Sequence, residues 1–309
     1  MEFGRFPDLY PRFPALAPAG ARIALIATIP RSGTWALQYF FSALHSLAKH
    51  DERANPFDIA FAHLPEIGFD LFSIAHHYCP GLDAIGDARF KEWQALVCEP
   101  LPGWDWGSAE LARYAAQINL GRARIVFLYR NPLDAAVSFC RQMQRPHNAH
   151  YAGAIRDDDK RSVDVADIGG FLRRVGARNY LKYFLSYWWG RALWGERLLF
   201  LRYEDLAARR EETLTGLLAF LAGRPLDPAE AARVRAAAAL SSAEALRALE
   251  QRRNRSIGDP GDKAGGENHR HLVDGRTGVW RDLVPAEDAA GCRRLMSDWG
   301  IPDTMFRYE

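Results

Sequence analysis

The sequence predicts an α/β fold of three layers, in which helices flank a mostly parallel sheet. Three short stretches carry this prediction because they are almost continuously apolar: RIALIATI, RIVFLYR and RLLFLRY, at residues 22–29, 124–130 and 197–203. Such runs are typical of strands that are buried on both faces of a parallel sheet. Helix-like patterns separate the runs, as the crossovers between parallel strands require.

Each predicted helix has its own local signal. Apolar residues recur at helical spacing between residues 36 and 47, after the first run. After the second run, Asn131 suits a helix N-cap, Pro132 the first helical position, and Asp134 the positive end of the helix dipole. Residues 107–120 read as a further helix that leads into the second strand.

The C-terminal half adds three predicted helices. Residues 228–253 predict two of them, the second opened by a capping box between Ser241 and Glu244. The aromatic stretch 179–194 is interpreted as a helix that packs into the core. Residues 145–170 and 254–275 are rich in glycine or charge, and we expect each to be a solvated loop or a lid that orders over a ligand.

The composition restricts the classes of protein. The 309 residues are 48% hydrophobic and 25% charged, which is enough apolar material for a large core, and a net charge of +2 gives no support for nucleic-acid binding. Four widely spaced cysteines without a CxxC or Cys/His cluster favour free or buried thiols over disulfides or a metal site. No apolar run reaches the ~20 residues of a membrane span, and no signal peptide is visible. We therefore expect a cytoplasmic protein with a single domain over residues 1–309, of which residues 1–20 are an N-terminal extension. Whether the protein forms a homodimer is left open.

The ends of the apolar runs predict an anion site. After the first run come a cation, two hydroxyls and a glycine: Arg31, Ser32, Gly33 and Thr34. The second run ends at Arg130, with Ser138 two turns into the following helix, and the third ends at Tyr203. Ligands of open α/β sheets bind beyond the carboxyl ends of the strands, and helix N-termini suit phosphate. The alternative is a capped helix start with a surface arginine. A Walker P-loop is excluded because no glycine lies five residues before Gly33 and no lysine follows it.

Four motifs in the same order carry a resemblance. IPRSGTW, YRNPLDAAVSF, LRYEDL and GRTGVWRDLV, spread over most of the chain, resemble the sulfotransferase family that uses PAPS (3′-phosphoadenosine 5′-phosphosulfate). The resemblance implies a parallel sheet with a P-loop-like phosphosulfate-binding loop. It also implies transfer of a sulfuryl group from PAPS to a hydroxyl or amine, which leaves PAP (3′-phosphoadenosine 5′-phosphate). The acceptor is then a small molecule, a carbohydrate or a lipid.

The resemblance also implies which residues hold PAPS. The phosphosulfate loop corresponds to Arg31, Ser32, Gly33, Thr34 and Trp35. The 3′-phosphate corresponds to Arg130 and Ser138, the adenine lies near Tyr203, and a last motif closes on the 3′-phosphate through Arg276, Thr277 and Gly278. Two departures from the family pattern stand out. Arg31 replaces a lysine and one threonine of the first motif is missing, while the last motif is two residues shorter and lacks its lysine.

The predicted chemistry needs a cation and a base, but no metal. Arg31 is expected to stabilise the negative charge that grows on the bridging oxygen, although it cannot donate its proton. The acceptor must lose a proton near pH 7, for which histidine is best suited. IAHH at residues 74–77 resembles the family's strand-end motif and favours His77, then His76. The reserves are His63 in FAHLP and a carboxylate base at Glu66 or Asp70.

Several alternatives remain at the level of sequence. A divergent nucleotide kinase needs Mg²⁺ and a Walker-type lysine, which is missing. A catalytically silent nucleotide-binding protein is compatible with the Arg31 replacement and the unassigned base. Trp93, Trp104 and Trp106 are candidates for the acceptor pocket, since aromatic side chains suit sugars, phenols and lipids alike.

Overall fold

The structure analysed is a computed structural model of the chain, and it describes residues 22–49, 61–64, 69–76, 78–79, 91, 123–145, 148–157, 159–253 and 276–306. Within these ranges, the strands are β1 (Ile23–Thr28), β2 (Phe61–Leu64), β3 (Phe69–Ala75), β4 (Ala123–Tyr129) and β5 (Leu198–Arg202). They form one sheet in the order β2-β3-β1-β4-β5.

The sheet is parallel except at one edge. β1 pairs in parallel with β3 and with β4, and β4 pairs in parallel with β5. Only β2 is antiparallel, and it pairs with β3. The three apolar runs are thus the adjacent strands β1, β4 and β5, as predicted. Their carboxyl ends lie side by side, since Thr28 is in register with Leu128 and Tyr129 with Arg202.

Helices cover both faces of the sheet. In chain order they are α1 (Thr34–Lys49), α2 (Pro132–Met143), α3 (Ala149–Ala154), α4 (Ile168–Phe171), α5 (Ala177–Trp194), α6 (Tyr203–Ala208), α7 (Arg210–Ala222), α8 (Pro228–Leu240), α9 (Ala243–Arg253) and α10 (Ala286–Asp298). A π-helical turn at Leu172–Gly176 joins α4 to α5. Short 3₁₀ turns lie at Gly195–Arg197, Val279–Asp282 and Asp303–Met305.

Alternate residues of β1, β4 and β5 enter two separate cores, because successive side chains of a strand point to opposite faces. Leu25 and Phe127 belong to a core shared with α2, α5 and α10. Ile26 and Val126 belong to a second core shared with α1, α7 and α8. This arrangement is the predicted three-layer α/β fold, and the aromatic stretch 179–194 supplies buried core side chains on α5, as expected.

Local helix signals were right at one helix and wrong at another. The Asn131 side chain accepts from the backbone N–H of Leu133, and Pro132 is the first residue of α2. The predicted capping box of Ser241 and Glu244 is wrong. Ser242 caps α9 by accepting from the Ala245 N–H, whereas Ser241 ends α8. The periodic pattern fixes the helix but leaves its first residue uncertain by one position.

The segment 145–170 has regular structure in its described residues. It contains α3 and an isolated bridge between Arg156 and Ser162. The buried Asp157 accepts from the backbone N–H of Arg161 at 2.8 Å and from Nε of Arg174 at 2.8 Å. Because Arg174 lies in the π-helical turn that precedes α5, these bonds attach the segment 145–170 to that turn. The predicted helix at 107–120 and the predicted loop at 254–275 lie outside the described residues.

Candidate active site

Three distant segments meet at the carboxyl ends of β1 and β4. The Arg130 side chain, at the end of β4, donates from Nη1 to the backbone oxygen of Arg31 at 3.3 Å and from Nη2 to that of Arg276 at 2.8 Å. Nε of Arg31 donates to Oγ of Ser138 on α2 at 3.1 Å. The structure therefore brings together residues from the first, second and last predicted motifs.

The loop after β1 depends on the shape of glycine. Gly33 has φ 103°, and a Cβ added there would lie 2.5 Å from a ring carbon of Tyr203. Both facts exclude a side chain at this position. Arg31 has φ 67°, a conformation that costs a non-glycine residue about 1–3 kcal/mol and is often found at functional sites. The same Tyr203 ring faces Arg130, with Cζ 4.6 Å from the ring centre.

Arg130 is fixed through its backbone. β4 ends at Tyr129, so the N–H and C=O of Arg130 need partners outside the strand. The Tyr180 hydroxyl, on α5, supplies both: it accepts from the Arg130 N–H at 2.6 Å and donates to the Arg130 C=O. The next N–H, of Asn131, is bonded to Oε1 of the buried Glu204 at 2.9 Å. The backbone that carries the Arg130 guanidinium is thus fixed by hydrogen bonds on both sides.

The electrostatics of this cluster suit an anion. The Arg130 side chain is buried, and its Nε is buried without a hydrogen-bond partner among the described residues. Burial, together with the charges of Arg130 and Arg145, lowers the pKa of Arg31 to about 10. Arg130 Nη1 and Nη2 and Arg31 Nε bond to neutral oxygens. A phosphate or sulfate placed here would satisfy the orphaned Nε–H and offset the repulsion between the cations.

A polar relay lies at the end of β1. Nδ1 of His76, the residue after β3, is 2.8 Å from the backbone oxygen of Thr28 and 2.9 Å from its hydroxyl. That hydroxyl is also 2.9 Å from the hydroxyl of Thr34. A carbonyl can only accept, so His76 donates from Nδ1 and the neutral ring keeps its lone pair on Nε2. Either hydroxyl can be the donor of the bond between Thr28 and Thr34; with Thr28 as the donor, the Thr34 proton is available to an anion.

His76 is held in its neutral form. Desolvation lowers its pKa to about 4, against a weaker opposing effect of the bond to Thr28, and the nearby charge of Arg31 lowers it further. The other base candidates are residues, or side chains, that the structure does not describe. His77 and Glu66 lie outside the described residues. His63 lies on β2 and Asp70 on β3, but the structure does not describe their side chains.

The last predicted motif reaches the site through its backbone. The carboxylate of Asp134, in the first turn of α2, accepts from the N–H groups of Gly278 at 2.6 Å and Trp280 at 3.1 Å. Arg276 and Thr277 are exposed beside these bonds, and Gly278 has φ 79°.

The remaining predicted residues are also located. Ser32 is fully buried in the loop after β1, and its N–H donates to Ile29 at 3.0 Å. Trp35, in the first turn of α1, packs at 5.8 Å between ring centres against Tyr39. The three tryptophans proposed for an acceptor pocket lie outside the described residues.

Sequence reasoning missed part of the framework. Thr28 is the one hydroxyl residue of the run RIALIATI, and that polar interruption was the available signal. Tyr180 was assigned to the core, and its ring is buried there, but its hydroxyl holds Arg130. Asp134 was noted only for its place at a helix start, and Glu204 only as part of the motif LRYEDL. Glu204 bonds to Asn131, which is 73 positions away, and Asp134 bonds to Gly278 and Trp280, which are 144 and 146 positions away.

Other features of the described residues add little to the site. Cys79, Cys140 and Cys292 are buried thiols that take part in no disulfide among the described residues. Within the described ranges, no three His, Cys, Asp or Glu residues are grouped as they would be to hold a metal ion. No helix in the part of the chain that the structure describes is long and apolar enough to cross a bilayer.

Comparison with known proteins gives a consistent result. A family model described as the sulfotransferase domain matches residues 22–299. Among solved structures, retinol dehydratase in a complex with retinol and PAP is 16% identical, with a TM-score of 0.51, over 98% of this chain and 88% of that chain. This likeness supports the fold.

Two further structures are more distant in shape. Mouse sulfotransferase SULT7A1 complexed with PAP is 17% identical, with a TM-score of 0.49, over 94% of this chain and 87% of that chain. Sulfotransferase STF9 from Mycobacterium avium is 14% identical, with a TM-score of 0.41, over 98% of this chain and 81% of that chain. A search of curated proteins finds no match.

Proposed function

The chain belongs to the sulfotransferase family, and on that premise we propose that it uses PAPS as its donor. The observation that carries this proposal is the convergence of Arg31, Arg130 and the segment at Arg276. In sequence, Arg130 is 99 positions from Arg31 and 146 positions from Arg276. Two guanidinium groups and several hydroxyls fit a nucleotide that is charged at both ends. PAP, the product, is also the ligand named for the retinol dehydratase and SULT7A1 complexes.

Each end of the nucleotide has its own set of residues in this proposal. The 3′-phosphate is bound by Arg130 and Ser138, and the orphaned Nε–H of Arg130 supplies a further donor. The segment Arg276, Thr277 and Gly278 closes over it. Tyr203 lies near the adenine.

The phosphosulfate end lies on the loop after β1. Ser32, Gly33, Thr34 and Trp35 surround it, with the Thr34 hydroxyl as a donor. Arg31 links the two ends: its Nε bonds Ser138, and its two terminal nitrogens have four N–H groups to face the phosphosulfate. A lysine has a single nitrogen and cannot span both positions in this way.

The proposed reaction is an in-line transfer. PAPS supplies the activated sulfuryl group. The acceptor oxygen forms a bond to sulfur while the bond between sulfur and the bridging phosphate oxygen breaks, and that oxygen keeps the electron pair. Arg31 stabilises the charge that develops there. The acceptor proton passes to Nε2 of His76, whose lone pair is fixed by the bond from Nδ1 to Thr28. His77 stays the alternative base.

The acceptor is proposed only by class: a hydroxyl or amine of a small molecule, a carbohydrate or a lipid. A cytoplasmic location, a single domain over 1–309 and the absence of nucleic-acid binding also stay predictions, and a homodimer stays open. None of these affects the chemistry at the strand ends.

Transfer of labelled sulfate tests the activity. The protein is incubated with labelled PAPS and a panel of phenols, sugars and lipids, and labelled product is measured. We expect transfer to at least one acceptor class, with PAP as the second product. Tight PAP binding without transfer to any member of a broad panel would favour a silent nucleotide-binding protein.

A thermal-shift comparison separates the kinase alternative. PAP is expected to raise the unfolding temperature, because it fills both charged ends of the site. ATP with Mg²⁺ is expected to raise it less, since no Walker lysine is present. Protection by ATP with Mg²⁺ but not by PAP would contradict the choice of donor.

A further inference from the structure

We infer that Asp134 is a positioning residue that holds the segment 276–280 closed over the nucleotide. This inference rests on the proposed function, because the nucleotide is the group that the segment is proposed to cover. Asp134 itself need not touch the nucleotide. It acts through the backbone of a segment that lies 144 and 146 positions further along the chain.

The geometry of the carboxylate is complete. Its two oxygens each accept one backbone N–H, from Gly278 at 2.6 Å and from Trp280 at 3.1 Å. Asp134 as a whole residue is 2% exposed, so little water competes for these bonds. Hydrogen bonds to an ionised carboxylate are about twice as strong as neutral ones.

The carboxylate is also held in place from its own side. Asp134 lies in the first turn of α2, where Asn131 caps the helix and the N-terminal partial charge favours an anion. The backbone of Asn131 is in turn bonded to Glu204. The carboxylate therefore has a fixed position relative to Arg130, the residue that follows β4.

The segment that it holds needs such support. Gly278 is in the left-handed region at φ 79°, and the Trp280 ring is almost fully buried. The backbone oxygen of Arg276 accepts from Nη2 of Arg130 at 2.8 Å. Without the carboxylate, the two N–H groups lose their partner, and the contact of Arg276 with Arg130 loses its nearest support.

A purely structural role is the competing explanation, since an acidic residue in the first turn stabilises any helix. The two explanations differ in what they affect. A helix-stabilising residue changes the stability of the fold. A positioning residue changes nucleotide affinity and the protection of the segment 276–280, even where the fold is intact.

The test compares Asp134→Asn with Asp288→Asn. Asparagine keeps the size of the side chain, but it offers one oxygen where the carboxylate offers two. Asp288 is a matched control: it is buried, it lies in the first turn of α10, and it is bonded to Arg173 rather than to the site. PAP affinity is measured by calorimetry, amide exchange over residues 276–283 by mass spectrometry, and KM for PAPS and kcat by sulfate transfer.

We expect Asp134→Asn to weaken PAP binding by about tenfold or more, the scale of one lost hydrogen bond to a charged group. Exchange over 276–283 should accelerate, and KM for PAPS should rise more than kcat falls. Asp288→Asn should change none of these, although it lowers the unfolding temperature. A lower unfolding temperature for Asp134→Asn with wild-type PAP affinity and exchange would overturn the inference.

Two further outcomes are distinguishable. If the wild-type protein does not bind PAP, the proposed function fails, and the exchange data alone decide whether Asp134 holds the segment. If Asp134→Asn does not fold, Asp134→Glu carries the test. It keeps the charge but displaces it by one methylene, so PAP affinity should fall while the helix stays capped. Wild-type affinity in Asp134→Glu, with unchanged exchange, would contradict the inference.

Discussion

The ends of β1 and β4 lie side by side but are built differently. At the end of β1, the contacts are made by groups that carry protons: the imidazole of His76 and the hydroxyls of Thr28 and Thr34. At the end of β4, the backbone itself is fixed, because Tyr180 and Glu204 take up its polar groups. The first end is suited to move a proton, and the second to hold a charge without moving.

This difference leads to a separation of effects. Substitutions of Thr28 or His76 should lower the rate of sulfuryl transfer and leave nucleotide affinity almost unchanged, whereas substitutions in the phosphosulfate loop at residues 31–35 should lower affinity as well. Substitutions at the end of β4 should lower affinity.

Replacement of His76 by glutamine should have the largest effect. Loss of a positioned base lowers kcat by about 100–10,000-fold, while PAP affinity should stay near that of the wild type. His45→Gln is the control, because His45 lies eleven residues along α1 from Thr34, about 16 Å of helix. Near wild-type kcat in His76→Gln with a large loss in His77→Gln would assign the base to His77.

Stability should depend on pH through the same histidine. The pKa of His76 is lowered from 6.5 to about 4 in the folded protein, mainly by desolvation. As the pH falls from about 6.5 to 4, the unfolded chain takes up this proton and the folded chain does not, so the free energy of unfolding should fall. The shift corresponds to about 3 kcal/mol.

Denaturant unfolding at pH 7 and pH 4.5 checks this dependence in the wild type and in His76→Gln. The variant should lose less stability over this interval, because it lacks the group. Equal losses in both proteins would mean that His76 titrates normally and is not held neutral by its surroundings.

Replacement of Arg130 by alanine tests the end of β4. It should weaken PAP binding by about 1.5–3 kcal/mol, the scale of a hydrogen bond to a charged group. Calorimetry measures this, with Arg235→Ala as the control, since Arg235 is exposed and pairs with Glu211 on the surface. Unchanged affinity in Arg130→Ala would remove the 3′-phosphate assignment.

Replacement of Thr28 by valine should have the smallest effect. Valine keeps the shape but loses the hydroxyl, so Thr34 loses a hydrogen-bond partner while His76 keeps its bond to the Thr28 carbonyl. We expect kcat to fall by less than about tenfold, consistent with ~1 kcal/mol for one hydrogen bond. Thr215→Val is the control, because the Thr215 hydroxyl donates to the backbone oxygen of Glu211 within α7. If Thr28→Val lowered PAP affinity by a larger factor than kcat, the proposed division of roles between the ends of β1 and β4 would be contradicted.

The sequence predicted what depends on local patterns. Continuous apolar runs identified β1, β4 and β5, and the dipeptide of Asn131 and Pro132 identified the start of α2. Charged and hydroxyl residues at the strand ends predicted a candidate site, and the structure brings Arg31, Arg130 and Ser138 together there, because parallel strands bring their carboxyl ends to one edge.

The sequence did not predict what depends on long-range contacts. The bond between Thr28 and His76 joins residues 48 positions apart, and that between Tyr180 and Arg130 joins residues 50 positions apart. A buried tyrosine has the same pattern in a sequence whether its hydroxyl is structural or supports a site. The one-residue error between Ser241 and Ser242 has a different cause, since adjacent serines offer the same capping oxygen.

The most direct test of the account is a comparison of three nucleotides by calorimetry with the wild-type protein. PAP carries phosphate at both ends, whereas AMP and adenosine 3′-monophosphate each carry one. If charged groups on separate segments bind both ends, PAP should bind more tightly than either monophosphate by about tenfold or more. Equal affinities for PAP and AMP would show that Arg130 does not bind the 3′-phosphate, and would contradict the account.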